Sequence, residues 1–241
     1  MIDDIDLDSD DEIARQNGEP SGVDIVDLEQ VASCSGVAAP TQAGFQKIDA
    51  RKSWHWQDRS IWIYDVRAIG NYFSQVTGWP PGSVGVWLSV YFTFAPQPAG
   101  MKLDKLGRWL PPEHMGHMRM HLDCRLDQSR LVRHFSNPTE QRRTDLWWVD
   151  PDGENADEVA GDIAVSLFDQ GLPWFRNVSD PRTALELVTA DPRGSLIKFQ
   201  KAAFLARELG DEEAWRSYDY LAEAEAVRLG RSTDRAIWYG I

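Results

Sequence analysis

Alternating apolar and polar positions dominate residues 44–150 and predict β-strands. Residues 60–67 place Ile61 and Ile63 opposite Trp62, Tyr64 and Val66, and this period of two is typical of a strand. Similar patterns occur in four further segments: Gly44–Ala50, Trp54–Trp56, Val84–Ala95 and Leu146–Val149. The turn Gly78–Gly82 contains two prolines, which cannot donate to a strand ladder. Because the connections are too short for helical crossovers, we expect four to six antiparallel strands.

The period changes to that of a helix after residue 156. Asp157–Gln170 is amphipathic and Gly171 is a natural helix stop, while Asp180 followed by Pro181 is typical of a helix start. Two longer helices, Ser195–Leu209 and Glu212–Leu229, form a helical hairpin like a single tetratricopeptide unit. One such unit cannot bury its own apolar face, so we expect it to dock on the sheet domain. The apolar end, 236–241, is predicted to pack back as well.

The fold class is therefore predicted as α+β, with an antiparallel sheet packed by helices and a C-terminal helical hairpin. We divide the chain into an acidic arm (1–42), an α+β domain (43–190) and the hairpin (191–241). The full chain has 25 Lys and Arg against 38 Asp and Glu, a net charge of −13. Eleven acids and one arginine in residues 1–30 contribute −10, which leaves −3 for the rest. The arm has too few apolar residues to order itself, and deletion of residues 1–30 should leave the fold and the melting temperature nearly unchanged.

The composition also excludes some classes of protein. No segment approaches the ~18 consecutive apolar residues of a membrane helix, and the N-terminus lacks the basic start of a secretory signal. We therefore expect a cytoplasmic protein with no membrane partner. The two cysteines, Cys34 and Cys124, do not form a disulfide framework and should be reduced. The acidic balance makes nucleic acid an improbable partner.

Segment His117–Leu126 carries the most concentrated polar row of the domain. Its apolar residues occupy even positions, and its odd positions are polar: His117, Arg119, His121, Asp123 and Arg125. On a strand His117 and His121 lie about 13 Å apart, from four steps of ~3.3 Å. They cannot chelate one ion, so no metal or other cofactor is predicted. The row either forms cross-strand ion pairs on a solvated face or binds an anion or a carboxylate-bearing partner.

Other residues offer alternative chemistry. Trp54 and Trp56 share a face and could stack on a ligand, although packing is the more common use of tryptophan. Asp65 lies on the apolar face of its strand, where it is either a perturbed acid or the partner of Arg67 or Arg51. Cys124, on the apolar face of its own strand, is expected to be inert. The sequence contains no nucleophile elbow, phosphate-binding loop or zinc-protease motif.

Two stretches together resemble a known bacterial family. Gly44-Phe45-Gln46-Lys47 leads through Trp54 into the strand Ile61–Val66, and Gly171-Leu172-Pro173-Trp174-Phe175 follows an amphipathic helix. These motifs are similar to those of the domain-of-unknown-function family numbered 4304, over about residues 44–178. The resemblance implies a small α+β accessory or immunity-like protein. It implies no catalytic residues.

The leading hypothesis is a non-enzymatic bacterial protein-binding protein, in its specific form an immunity-type antagonist of a toxin, with the acidic arm covering a basic partner surface. One alternative is a hydrolase-type enzyme that uses scattered residues: His114, His117, His121 and Asp65. The other is an aromatic-lined ligand-binding module built on Trp54, Trp56 or Trp148. Binding residues under the leading hypothesis are the polar row with Trp54 and Trp56, and the oligomeric state stays open.

Overall fold

The structure is a computed structural model that describes residues 37–95, 101–135 and 143–234. Most of the predicted acidic arm and the apolar end lie outside the described residues, as does Cys34. Residues 37–42 are helical, and Ala39 is buried in the main core.

A six-stranded antiparallel sheet confirms the predicted fold class. Its strands are β1 (Lys47–Ile48), β2 (Lys52–Trp56), β3 (Ser60–Ala68), β4 (Ser83–Phe92), β5 (Met118–His121) and β6 (Leu146–Trp148). The first five follow one another across the sheet in chain order, and β6 pairs with β4 beside β5. The predicted initial hairpin is thus β1–β2, and the Pro-Pro turn leads into β4.

The central strands β3 and β4 are buried on both faces, which explains why most of their residues are apolar. One face packs against the helices through residues such as Tyr64, Leu88 and Val90. We call it the helical face. The opposite face carries Ile61, Ile63, Tyr91 and, unexpectedly for a buried layer, Asp65. It is covered by loops, and we call it the loop face.

The helices are α1 (Asn71–Thr77), α2 (Ser129–Val132), α3 (Ala156–Ser166), α4 (Leu172–Val178), α5 (Pro181–Ala190), α6 (Leu196–Glu208) and α7 (Glu212–Arg228). A 3-10 turn spans Glu113–Met115. Helix α1 was not predicted, because seven residues are too few for a helical period to stand out, and none of its residues is buried.

The predicted helix stop at Gly171 is wrong. A π-helical turn, Leu167–Gly171, continues α3 directly into α4. A Cβ atom at Gly171 would lie 2.9 Å from Leu167 Cδ1 and 3.0 Å from Leu88 Cδ1. Glycine is therefore favoured here by the close approach of this helix to β4 rather than by a left-handed helix end.

The C-terminal helices begin where the capping residues predict. Asp180, Ser195 and Asp211 each accept a hydrogen bond from a backbone N–H of the first turn of α5, α6 and α7, respectively. Helix α6 reaches the main core through Leu205, whereas α7 packs on α6, burying little more than Ala222 and Ala226. The hairpin therefore docks through its first helix.

The predicted strand His117–Leu126 is shorter than expected. Strand β5 covers Met118–His121, and the Leu122 N–H still donates to the Val86 carbonyl at 3.1 Å, but the next positions of β4, residues 83–85, pair with β6. Beyond His121 the backbone N–H groups of Asp123 and Arg125 donate to side chains of the long helix, Gln170 and Asp162. The alternation of polar and apolar residues persists there without strand pairing.

Candidate functional site

Strand register places four chemically active residues on the loop face of the sheet. Asp65 of β3 faces Trp87 of β4, and Trp87 in turn faces His121 of β5. Two residues further along β4, on the same face, Ser89 lies opposite Arg119. Sequence alone placed Asp65 and the polar row on separate strands, and the shared face emerges only from the order β3-β4-β5.

A buried ion-pair network, which we call the Arg67 cluster, consists of Asp65, Arg67 and Glu113. Arg67 Nε donates to Asp65 Oδ2 at 2.8 Å, and its terminal nitrogen donates to Glu113 Oε2 at 3.2 Å. Asp65 is fully buried and Glu113 is 3% exposed. Burial raises the pKa of Glu113, and the Arg67 charge opposes that shift. The predicted pairing of Asp65 with Arg67 is confirmed.

The connection between β4 and β5 covers the loop face next to this cluster. Trp54 Nε1 donates to the carbonyl of Pro111 at 2.9 Å, and Trp56 Nε1 donates to the carbonyl of Trp109 at 3.0 Å. Trp54 is only 5% exposed. Both tryptophans predicted to bind a ligand therefore hold this covering segment, residues 101–117, against the sheet.

The outer end of this segment is a tight turn, residues 103–109, closed by a bridge between Leu103 and Trp109. Asp104 Oδ1 accepts hydrogen bonds from the backbone N–H groups of Leu106 (2.8 Å) and Arg108 (2.9 Å), while its Oδ2 accepts from Arg108 Nε (2.8 Å). Gly107 supplies the positive φ of 76°. The Arg108 guanidinium lies 3.8 Å from the centroid of the Trp56 ring.

This turn exposes two large apolar side chains, Leu103 at 55% and Leu106 at 77%. The turn was not predicted, although Asp104 three residues before Gly107 is a signal for a tight turn. Glu113 was overlooked too, because nothing local indicates its burial.

The predicted polar row does not stay together. Arg119, His121, Asp123 and Arg125 are exposed, but His117 is half-buried. Three of the exposed residues have partners from other parts of the fold: His121 Nδ1 lies 2.5 Å from Asp145 Oδ2, Asp123 accepts from Thr144, and Arg125 bonds Asp169. Burial of Asp145 raises its pKa, but hydrogen bonds from His121 and Arg143 outweigh this and hold that pKa well below its usual range.

His117 occupies an aromatic environment. Its Nδ1 accepts a hydrogen bond from the Phe92 backbone N–H at 2.9 Å, and its ring contacts the rings of Tyr91, Phe92 and Phe204. Burial lowers the pKa of His117 to about 3, with a further contribution from the charge of Lys201. The imidazole is therefore neutral at physiological pH and serves as a packed acceptor.

The residues proposed for a hydrolase lie outside the cavity that the structure shows beside β6. Within the described ranges, a cavity of about 220 Å³ lies between α2, β6 and the start of α3, lined by Cys124, Arg130, Trp148 and Glu158 among others. His114, His117, His121 and Asp65 do not line it. Burial raises the pKa of the Cys124 thiol to about 12, as expected for an inert cysteine. Ser89, which lies opposite Arg119, packs directly against Gly116. A Cβ atom added at Gly116 would lie 2.3 Å from Ser89 Cβ.

Comparison of the chain with protein-family models, with curated proteins and with solved structures finds no match. The resemblance over residues 44–178 therefore stays a prediction. In the ranges that the structure covers, no three His, Cys, Asp or Glu side chains are grouped as metal ligands. Among the same residues, no helix has both the length and the apolar character to cross a bilayer.

Proposed function

We propose that this chain is a non-enzymatic protein-binding protein, and that turn 103–109 is the segment that enters its partner. The observation that carries this proposal is the exposure of Leu103 and Leu106 on a turn that is held by hydrogen bonds to the Asp104 carboxylate. A rigid turn loses little conformational entropy on binding, so burial of its leucines translates into affinity.

The charges near the turn support a particular kind of partner. Lys102, Lys105 and Arg108 outnumber Asp104, which gives this stretch a charge of +2 in a chain of −13. An apolar pocket surrounded by carboxylates would complement both the leucines and the lysines. We therefore infer a partner protein with an acidic rim around an apolar pocket.

An immunity-type antagonist is the specific form of this function that we propose, acting in the bacterial cytoplasm. In that form the turn would fill a cleft of a toxin, as protruding rigid turns do in other tight inhibitory complexes. The acidic residues 1–30 would face a basic surface elsewhere on the same toxin.

Native co-purification followed by mass spectrometry tests the proposal. The wild-type chain should retain a stoichiometric protein partner, and Leu106→Asp should lose it, because a carboxylate would enter an apolar pocket with an acidic rim. Leu187→Asp is the matched control, since Leu187 is 46% exposed on α5, away from the turn. Recovery of no partner, or equal recovery with both variants, would contradict the assignment of the turn.

A further inference from the structure

The three cations in and beside turn 103–109 have different surroundings. Lys102 and Lys105 are exposed, and within the described ranges neither forms an ion pair. Each of them directly precedes one of the two exposed leucines. Arg108 is partly buried, and its terminal nitrogen lies 2.7 Å from Asp104 Oδ2. The turn therefore carries two free cations and one that is already paired.

The paired cation connects the turn to the sheet. The Asp104 N–H donates to the Arg108 carbonyl at 2.8 Å, so the same two residues are joined through the backbone as well. The Asp104 side chain is only 6% exposed. On its other side the Arg108 guanidinium lies 3.8 Å from the centroid of the Trp56 ring, and Trp56 belongs to β2. Loss of Arg108 would leave a nearly covered carboxylate without its cation and the turn without this contact to β2.

We infer that Arg108 is a positioning residue that holds turn 103–109 in its binding conformation, and that the carboxylates of the partner pair with Lys102 and Lys105 alone. This inference rests on the proposed function of the turn. Charge-assisted hydrogen bonds and a cation over an indole are strong contacts, whereas an exposed ion pair contributes little. Exchange of the Arg108 contacts for a carboxylate of the partner is therefore unfavourable. The partner needs carboxylates at two places, each beside the pocket for one leucine.

A matched pair of variants separates the two roles. Arg108→Met and Lys105→Met each remove one positive charge, so long-range electrostatic effects are common to both. Thermolysin cuts before large apolar residues, and mass spectrometry of the digested full chain follows the bond between residues 102 and 103, which neither substitution alters. Cleavage there reports the population of the opened turn. Arg108→Met should be cut at least about tenfold faster than the wild type, and Lys105→Met at the wild-type rate.

Co-purification at two salt concentrations tests the contact with the partner. The probe is the protein that the wild-type chain retains, quantified at about 50 mM and about 500 mM sodium chloride. Lys105→Met should lower its recovery about threefold at low salt and much less at high salt, because salt screens an exposed ion pair. Arg108→Met should lower recovery by a similar factor at both concentrations, since the order of the turn is not screened. Melting curves by circular dichroism exclude global unfolding as the cause.

The outcomes distinguish failure of the inference from failure of the proposed function. Recovery of no partner by the wild type would refute the proposed function. With a partner recovered, wild-type cleavage of Arg108→Met would show that Arg108 does not hold the turn. A loss of partner in Arg108→Met that disappears at high salt would make Arg108 a contact of the partner. Faster cleavage of Lys105→Met would show that this lysine holds the turn too, and each of these three results would overturn the inference.

Discussion

The aromatic surroundings of His117 predict a specific dependence of stability on pH. The folded state holds the pKa of this residue at about 3, against an ordinary value of 6.5. Between these values the unfolded chain takes up a proton that the folded chain does not bind. Stability is therefore fully present above about pH 6.5 and is lost as the pH falls toward 3. At about pH 5 the loss from this one residue is about 2 kcal/mol.

The perturbation that isolates this effect is His117→Asn. The asparagine oxygen can still accept the hydrogen bond from the Phe92 N–H, which is 2.9 Å from the imidazole nitrogen, but asparagine does not titrate. Urea unfolding of both proteins at about pH 7 and pH 5 should show that the wild type loses about 2 kcal/mol more than the variant. Contributions from Glu113 and Asp145 are common to both proteins and cancel.

The decisive quantity is the difference between the stability that each protein loses from pH 7 to pH 5. The variant is expected to be somewhat less stable at neutral pH, because it loses the ring contacts with Tyr91 and Phe204. This lower stability is present at both pH values and does not change the loss between them. Parallel losses of stability in the two proteins would show that His117 binds its proton equally well in the folded state.

Two further predictions concern buried contacts of the loop face. Arg67→Met leaves two buried carboxylates without their shared guanidinium. It should lower the free energy of unfolding, measured by urea denaturation, by about 3 kcal/mol. A loss below about 1 kcal/mol would mean that the Arg67 cluster is not needed for stability. Gly116→Ala forces a methyl group against Ser89 at 2.3 Å and should cost about 2 kcal/mol. The control is Gly161→Ala in α3, where an added Cβ has no neighbour within 4 Å. This substitution should stabilise the protein by about 0.5–1 kcal/mol, and similar effects of the two alanines in thermal melts would refute the steric argument.

Periodicity was sufficient wherever burial acts on a whole segment. The alternation in residues 60–67 identified β3, and the capping residues Asp180 and Asp211 located two helix starts. Sequence pattern failed at Gly171, because a glycine that ends a helix and a glycine that lets a helix approach a strand look the same in sequence. It also made β5 too long, because competition from β6 for the edge of β4 is not a local property.

The candidate site was harder to predict than the fold. Trp54 and Trp56 were recognised as a pair, but their partners are the carbonyls of Pro111 and Trp109, more than fifty residues away. The polar row was recognised on one strand, yet its members contact separate parts of the fold. His117 contacts β4 and α6, His121 and Asp123 contact residues 144–145, and Arg125 contacts the π-helical turn. Contacts at such separations depend on the order of strands, which a period of two does not specify.

The sequence by itself determined the α+β class, the capped C-terminal helices and the concentration of acidic residues near the N-terminus, because these follow from local composition and spacing. The tertiary structure alone decided that Asp65, Arg67 and Glu113 share one buried network, that His117 lies among aromatic rings, and that Leu106 stays exposed. Burial, charge compensation and exposure depend on which distant segment covers a residue, and that is fixed only when β4, the covering segment and the helices pack together.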